Sequence, residues 1–148
     1  IAGKKNFSVI AIEKDMMNAE IGFGRKVLEV LENYDISFEH MPSGIDAMCV
    51  IVPTEALEGK REQLLRSIQR QTHADHIEIQ DGMCLIAVVG RGMVRAKGTA
   101  ARVCDAVSGA GVNIRMIDQG SSELNIILGV DNDAYETALR AIFREFVR

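Results

Sequence analysis

Val9-Ile10-Ala11-Ile12 is an apolar run of strand character, and 76 positions further on the chain repeats it as Leu85-Ile86-Ala87-Val88. The likeness extends outward from there. Met17 recurs as Met93, Gly22 as Gly98, Val27 as Val103 and Leu31 as Val107. Ile36, Phe38 and Met41 return as Val112, Ile114 and Ile117, and Gly44 as Gly120. Met48, Val50 and Val52 line up with Leu124, Ile126 and Leu128, still at the same offset and so without a gap. Such self-similarity marks two copies of one supersecondary unit, and units of this kind lean on neighbours to complete a core.

The periodicity inside each copy gives its elements. Phe7–Ile12 is β-prone, and Val27, Leu28, Leu31 and Tyr34 recur at helical spacing, which predicts an amphipathic helix over Gly24–Tyr34. Ile36–Met41 and Ala47–Val52 are predicted strands joined by the Pro42-Ser43-Gly44 turn. Leu64, Leu65 and Ile68 mark a second helix over Glu55–Gln71. The second copy follows suit: strand Cys84–Val89, helix Thr99–Ser108, strands Val112–Ile117 and Leu124–Val130, and a last helix over Asp133–Val147. Each unit is βαββα, an α+β arrangement with antiparallel sheets, and the two domains fall at 1–74 and 75–148. Asp81-Gly82 is a hairpin signal, so His76–Gln80 is expected to pair with Cys84–Val89 and serve the second module. That would leave the first module an open sheet edge, to be filled by missing sequence or by a partner.

At 148 residues the chain can bury a core in each module. The formal net charge of −4 lacks the basic stripe a nucleic-acid binder needs, and with no Trp and two Tyr there is little to stack on bases. No apolar run approaches the roughly 20 residues of a membrane span. A start at Ile1 reads as an excised piece, and the chain is assigned to the cytoplasm. Cys49, Cys84 and Cys104 have no metal-ligand spacing and read as free, packed thiols in a reducing compartment. No metal site is expected.

In each copy the first strand runs into a loop that opens a helix, Lys14–Phe23 and Gly90–Thr99, and each loop holds a Met followed five residues on by Gly. Glycine at a helix start admits a ligand to the backbone, where unpaired N–H groups favour a carboxylate. The order Lys97-Gly98-Thr99 lacks the Gly-Lys-Ser/Thr of a phosphate loop. No nucleophile stands near a base. Glu20, Glu39 and Asp46 singly would be a solvated face, but together they suit an ammonium group.

Two segments go further: Ile36-Ser37-Phe38-Glu39-His40-Met41-Pro42-Ser43-Gly44-Ile45-Asp46 and Gly120-Ser121-Ser122-Glu123-Leu124-Asn125-Ile126. With Gly22-Phe23, Gly111-Val112-Asn113-Ile114 and Ala141-Ile142-Phe143, they resemble the tandem ACT regulatory region of aspartokinases, including fusions with homoserine dehydrogenase. The resemblance covers nearly the whole chain. It implies a ferredoxin-like pair of ACT domains that senses an end-product amino acid, lysine first and threonine second, and forms a homodimer. It implies a catalytic domain elsewhere in the same protein, which would hold ATP and magnesium; these residues would bind and regulate without catalysing. It places effector contacts on Met17, Glu20, Gly22, Phe23 and Gly24, on Ser37, Phe38 and Glu39, and at the turn Ser43, Gly44, Ile45 and Asp46. Relatives commonly have Asp where Glu39 stands and Thr-Ser-Glu at the turn. The competing readings are an ACT region of another amino-acid enzyme and a dimerisation module without ligand.

Overall fold

The computed structural model describes residues 1–147. It contains β1 (Ala2–Glu13), α1 (Phe23–Asn33), β2 (Ala47–Pro53), α2 (Arg61–Thr72), β3 (His76–Val89), α3 (Thr99–Gly109), β4 (Met116–Asp118), β5 (Asn125–Asp131) and α4 (Tyr135–Phe146). Two compact units emerge, one of residues 7–81 and one of residues 1–6 with 82–148.

In the unit 7–81, β1 pairs antiparallel with β2, Ile10 opposite Val50, and its other neighbour is β3. Ile10, Ile12, Val50 and Val52 present one face of this sheet to Val27 and Leu31 of α1 and to Leu64 and Ile68 of α2. All eight are essentially inaccessible to solvent, and each such aliphatic side chain contributes about 1.5–3 kcal/mol on burial. In the other unit β3 pairs with β5, Ile86 opposite Leu128, and β4 lies outside β5. Ile86, Ile126 and Leu128 pack there against Val103, Val107, Ala138 and Ile142.

The backbone carries the repeat as well. Asn6 and Gly82, Gly22 and Gly98, and Asp35 and Gly111 are three pairs at the 76-residue offset, and all six have positive φ. The strand registers correct the gapless alignment. Ile10 faces Val50 while Ile86 faces Leu128, so β5 is displaced from β2 by 78 residues and not 76. Two extra residues lie in the second tip turn, and because side chains alternate with period two, a slip of two leaves the same face apolar. The sequence pattern therefore conceals the insertion.

The junction also differs from expectation. Asp81-Gly82 makes no hairpin: β3 runs unbroken from His76 to Val89, so His76–Gln80 cannot fold back on Cys84–Val89. Gly82 takes its positive φ within the strand, where it acts as a bend and not a reversal. Residues 76–81 instead belong to the first unit, beside β1, and residues 2–6 supply the second unit with its extra strand. The edge expected to await missing sequence or a partner is filled by residues 76–81 of the chain itself.

Three further elements are shorter than the pattern predicts. Ile36–Met41 is not a regular strand; it meets β2 at the isolated bridge His40–Ile51, and the turn that follows meets it at Ser43–Met48. Pro42 has no N–H to continue a ladder, although its carbonyl accepts from Cys49 at 2.9 Å. In the region Val112–Ile117 regular pairing begins only at Met116. The helix over Glu55–Gln71 is a 3-10 turn, Thr54–Leu57, then α2 from Arg61; Gly59 at φ +70 separates them.

Candidate functional site

The first half of the loop between β1 and α1 is held by the 43–46 turn and by Asp75. Lys14 N donates to the Asp46 carbonyl at 2.9 Å and Asn18 N to the Ile45 carbonyl at 3.0 Å. The Asp46 side chain accepts from Met16 N at 2.9 Å, and the Asp75 carboxylate accepts from Asp15 N at 2.8 Å. Ser43 and Gly44 close the turn that presents these carbonyls: Gly44 N reaches the Ala47 carbonyl at 2.7 Å, and Ser43 Oγ the Met41 carbonyl at 3.2 Å. Asp46 is thus a structural brace of the loop, which a count of acidic residues does not reveal.

Met17 is buried in the core beneath this loop, in a 3-10 turn, and Phe23 is equally buried as the first residue of α1. Gly22 stands before it at φ +83, where no side chain can cap the helix. A Cβ at Gly24 would lie 3.7 Å from Met48 Cε and 4.0 Å from Met41 Cε, so the helix start rests on both methionines. Met16, Ile21 and Ile45 are strongly exposed around it, Ile21 at 98%.

Glu20 does not stand alone. Lys14 Nζ donates to its Oε1 at 2.7 Å and to the Thr72 carbonyl at 2.6 Å, and Lys26 Nζ is 3.9 Å from Oε2. The hydrogen bond from Lys14 holds the Glu20 carboxyl below its ordinary range. Neither Lys14 nor Thr72 was accessible to sequence reasoning, since the contact joins residues 58 positions apart through a lysine that reads as surface.

Ser37 and Phe38 lie elsewhere. With Leu28, Leu31, Glu32, Asp35 and Ile36 they line a groove of about 570 Å³ on the second half of α1. Glu39 follows them in the chain, exposed, with its backbone N–H on the Ile51 carbonyl at 2.8 Å. The loop, the helix start and the 43–46 turn therefore form one cluster, and Ser37 with Phe38 forms another.

The second unit repeats the frame. Gly90 N donates to the Leu124 carbonyl at 3.1 Å, Arg95 N donates to the Glu123 carboxylate, and Gly98 precedes α3 at φ +86. A pocket of about 400 Å³ opens there among Met93, Lys97, Thr99, Gln119 and Glu123. Among the described residues no group of three His, Cys, Asp or Glu could hold a metal, and no helix is long and apolar enough to cross a membrane. Cys49, Cys84 and Cys104 are free, and burial raises the thiols of Cys49 and Cys84.

Residues 86–146 match the family model described as an ACT domain. Aspartokinase 3 of Bacillus subtilis is 41% identical over 99% of this chain. This is a paired ACT region of the aspartokinase family. The aspartate kinase of Clostridium acetobutylicum superposes with a TM-score of 0.95 at 50% identity over 98% of the chain. Aspartokinase III of Escherichia coli, in its complex with lysine and aspartate, shares the fold with a TM-score of 0.75 at 20% identity over 99% of the chain. The chain spans about a third of each relative: 32% of the Bacillus protein, 34% of the Clostridium chain and 32% of the Escherichia chain.

Proposed function

We propose that this ACT region senses lysine and, through it, feedback-regulates aspartate phosphorylation by a catalytic domain that would hold ATP and magnesium. One observation carries the reading. The β1–α1 loop is braced by Asp46 and Asp75 and ends at an uncapped helix start, a ready cradle for a carboxylate. Glu39 would supply an acceptor for an ammonium group, Glu20 would do so in competition with Lys14, Asp46 would serve by bracing the loop, and Ser37 and Phe38 would be drawn in from their groove. The Escherichia relative crystallised with lysine supports lysine over threonine as the first candidate.

A ligand that binds only the folded form raises its melting temperature, and at a given concentration the rise is larger the tighter it binds. Lysine is expected to raise that of this chain more than leucine or glutamate at equal concentration, read by thermal shift. Equal shifts from all three would remove lysine as the effector, and no shift from any amino acid would leave a ligand-free module.

The same region would meet a second chain. Ile21, Ile45 and Met16 are exposed beside the loop at 98%, 68% and 65%, apolar surface that a homodimer would cover. Sedimentation is expected to give a dimer at micromolar concentration. A monomer with and without lysine would refute it.

A further inference from the structure

Lys14 occupies a complete ammonium site made by the chain itself. Its Nζ donates to Glu20 Oε1 at 2.7 Å and to the carbonyl of Thr72, the last residue of α2, at 2.6 Å. The Phe23 ring lies with its centroid 5.8 Å away. A carboxylate, a helix C-terminal carbonyl and an aromatic face are the groups that recognise a primary ammonium. The second oxygen, Glu20 Oε2, is shielded from solvent and accepts no hydrogen bond, with Lys26 Nζ 3.9 Å away. Lys14, Lys26 and Glu20 together leave one net positive charge at the start of α1, which opposes any further cation.

Resting on the reading of this region as an amino-acid sensor, we propose that Lys14 is a specificity-determining residue of the effector site. Its ammonium holds Glu20 against an incoming cation and so limits affinity for an effector with a cationic side chain, while leaving neutral amino acids unaffected. The competitor is intramolecular and present at high effective concentration, so it acts at every effector level. A residue that merely held the loop in shape would alter all ligands alike.

Calorimetry on the full chain separates the two. In Lys14→Met the dissociation constant for lysine is expected to fall about tenfold, while that for threonine or leucine stays within about twofold. Adding Glu20→Gln should abolish the gain, because the gain requires the carboxylate. Lysine affinity that is unchanged or weaker in folded Lys14→Met, or a gain that survives Glu20→Gln, overturns the proposal. If Lys14→Met does not fold, Lys14→Gln, which keeps a donor for the Thr72 carbonyl, carries the same expectation and the same refutation. A parent chain that binds no amino acid would strike the sensor reading itself, an outcome distinct from a parent that binds lysine and variants that bind it no better.

Discussion

The two strand-to-helix loops share a frame and differ in charge. In the first, Lys14, Glu20 and Lys26 form an ion cluster at the helix start. At the repeat offset these positions hold Gly90, Ala96 and Arg102, and Arg102 turns away to Glu145 at 2.7 Å and to the Phe146 ring. Glu39 has its counterpart in Arg115: each donates its backbone N–H to the equivalent carbonyl, Ile51 for Glu39 and Gly129 for Arg115. The hydrogen bonds that shape the loop are common to both units, whereas the Lys14–Glu20–Lys26 ion cluster belongs to the first and Arg95, Lys97 and Glu123 line the second.

The largest effects should ignore that asymmetry. Ile68 and Ile142 are fully buried and occupy matching places on the helix that follows the sheet strands of each unit. Ile68→Ala and Ile142→Ala should each cost about 2–5 kcal/mol in urea unfolding, since each leaves a cavity as well as losing contacts. A loss confined to one of them would show that the two cores are not equivalent.

Next comes the charge that distinguishes the sites. A charged hydrogen bond contributes about 1.5–3 kcal/mol, so Glu39→Ala should weaken lysine binding by roughly ten- to a hundredfold in calorimetry. Unaltered affinity would move the ammonium contact to another residue.

How much of this was written in the sequence depends on the range of the interaction. The repeat, the four helices and the apolar faces of β2 and β5 follow from periodicity, because burial is decided locally by alternation. The two-residue insertion before Asn125 was invisible for the same reason, as a slip of two preserves alternation. Asp81-Gly82 misled because a turn signal states that the backbone can bend and not that it reverses. Which strand residues 76–81 would join was settled by β1, about seventy residues away in sequence. Within the site, Gly22 and the 43–46 turn were legible from backbone chemistry. Lys14 was not, because a lysine bonded to a helix-end carbonyl 58 positions away has no sequence signature.

A smaller effect sharpens the contrast at the outer strands. In the first unit Arg61 grips Asp81 through paired 2.9 Å hydrogen bonds, and Ser8 also donates to Asp81. In the second, Lys5 lies 5.2 Å from the centroid of the Tyr135 ring. Arg61, then Ser8, holds the Asp81 carboxyl below its ordinary value of 3.8. A depressed folded-state value stabilises the protein above about pH 3.8 and loses that stabilisation as pH falls through the lower folded-state value. The pair is half exposed, so the loss should not exceed about 1 kcal/mol, and Lys5 with Tyr135 should not share it. Hydrogen exchange between about pH 5 and about pH 2.5, a range that spans carboxyl titration, should show amides of residues 76–81 losing protection before those of residues 2–6. Simultaneous loss would mean that Asp81 is not the acid-sensitive contact.

The smallest expected effect is the most diagnostic for function. Arg115 donates to Asp131 at 2.9 Å with its side chain only 20% exposed, so Arg115→Ala removes a real ion pair from the second unit. If both units bound lysine, a guanidinium at the position matching Glu39 would repel the ligand, and its removal should then raise affinity or expose a second binding event. If only the first unit binds, the substitution lies outside the site, where changes rarely exceed about 0.5 kcal/mol, and affinity should stay within about twofold. Calorimetry reads both affinity and stoichiometry. One unchanged binding event per chain confirms a single lysine site. A second event, or loss of the first while Glu39→Ala keeps it, would transfer the sensing role to the second unit.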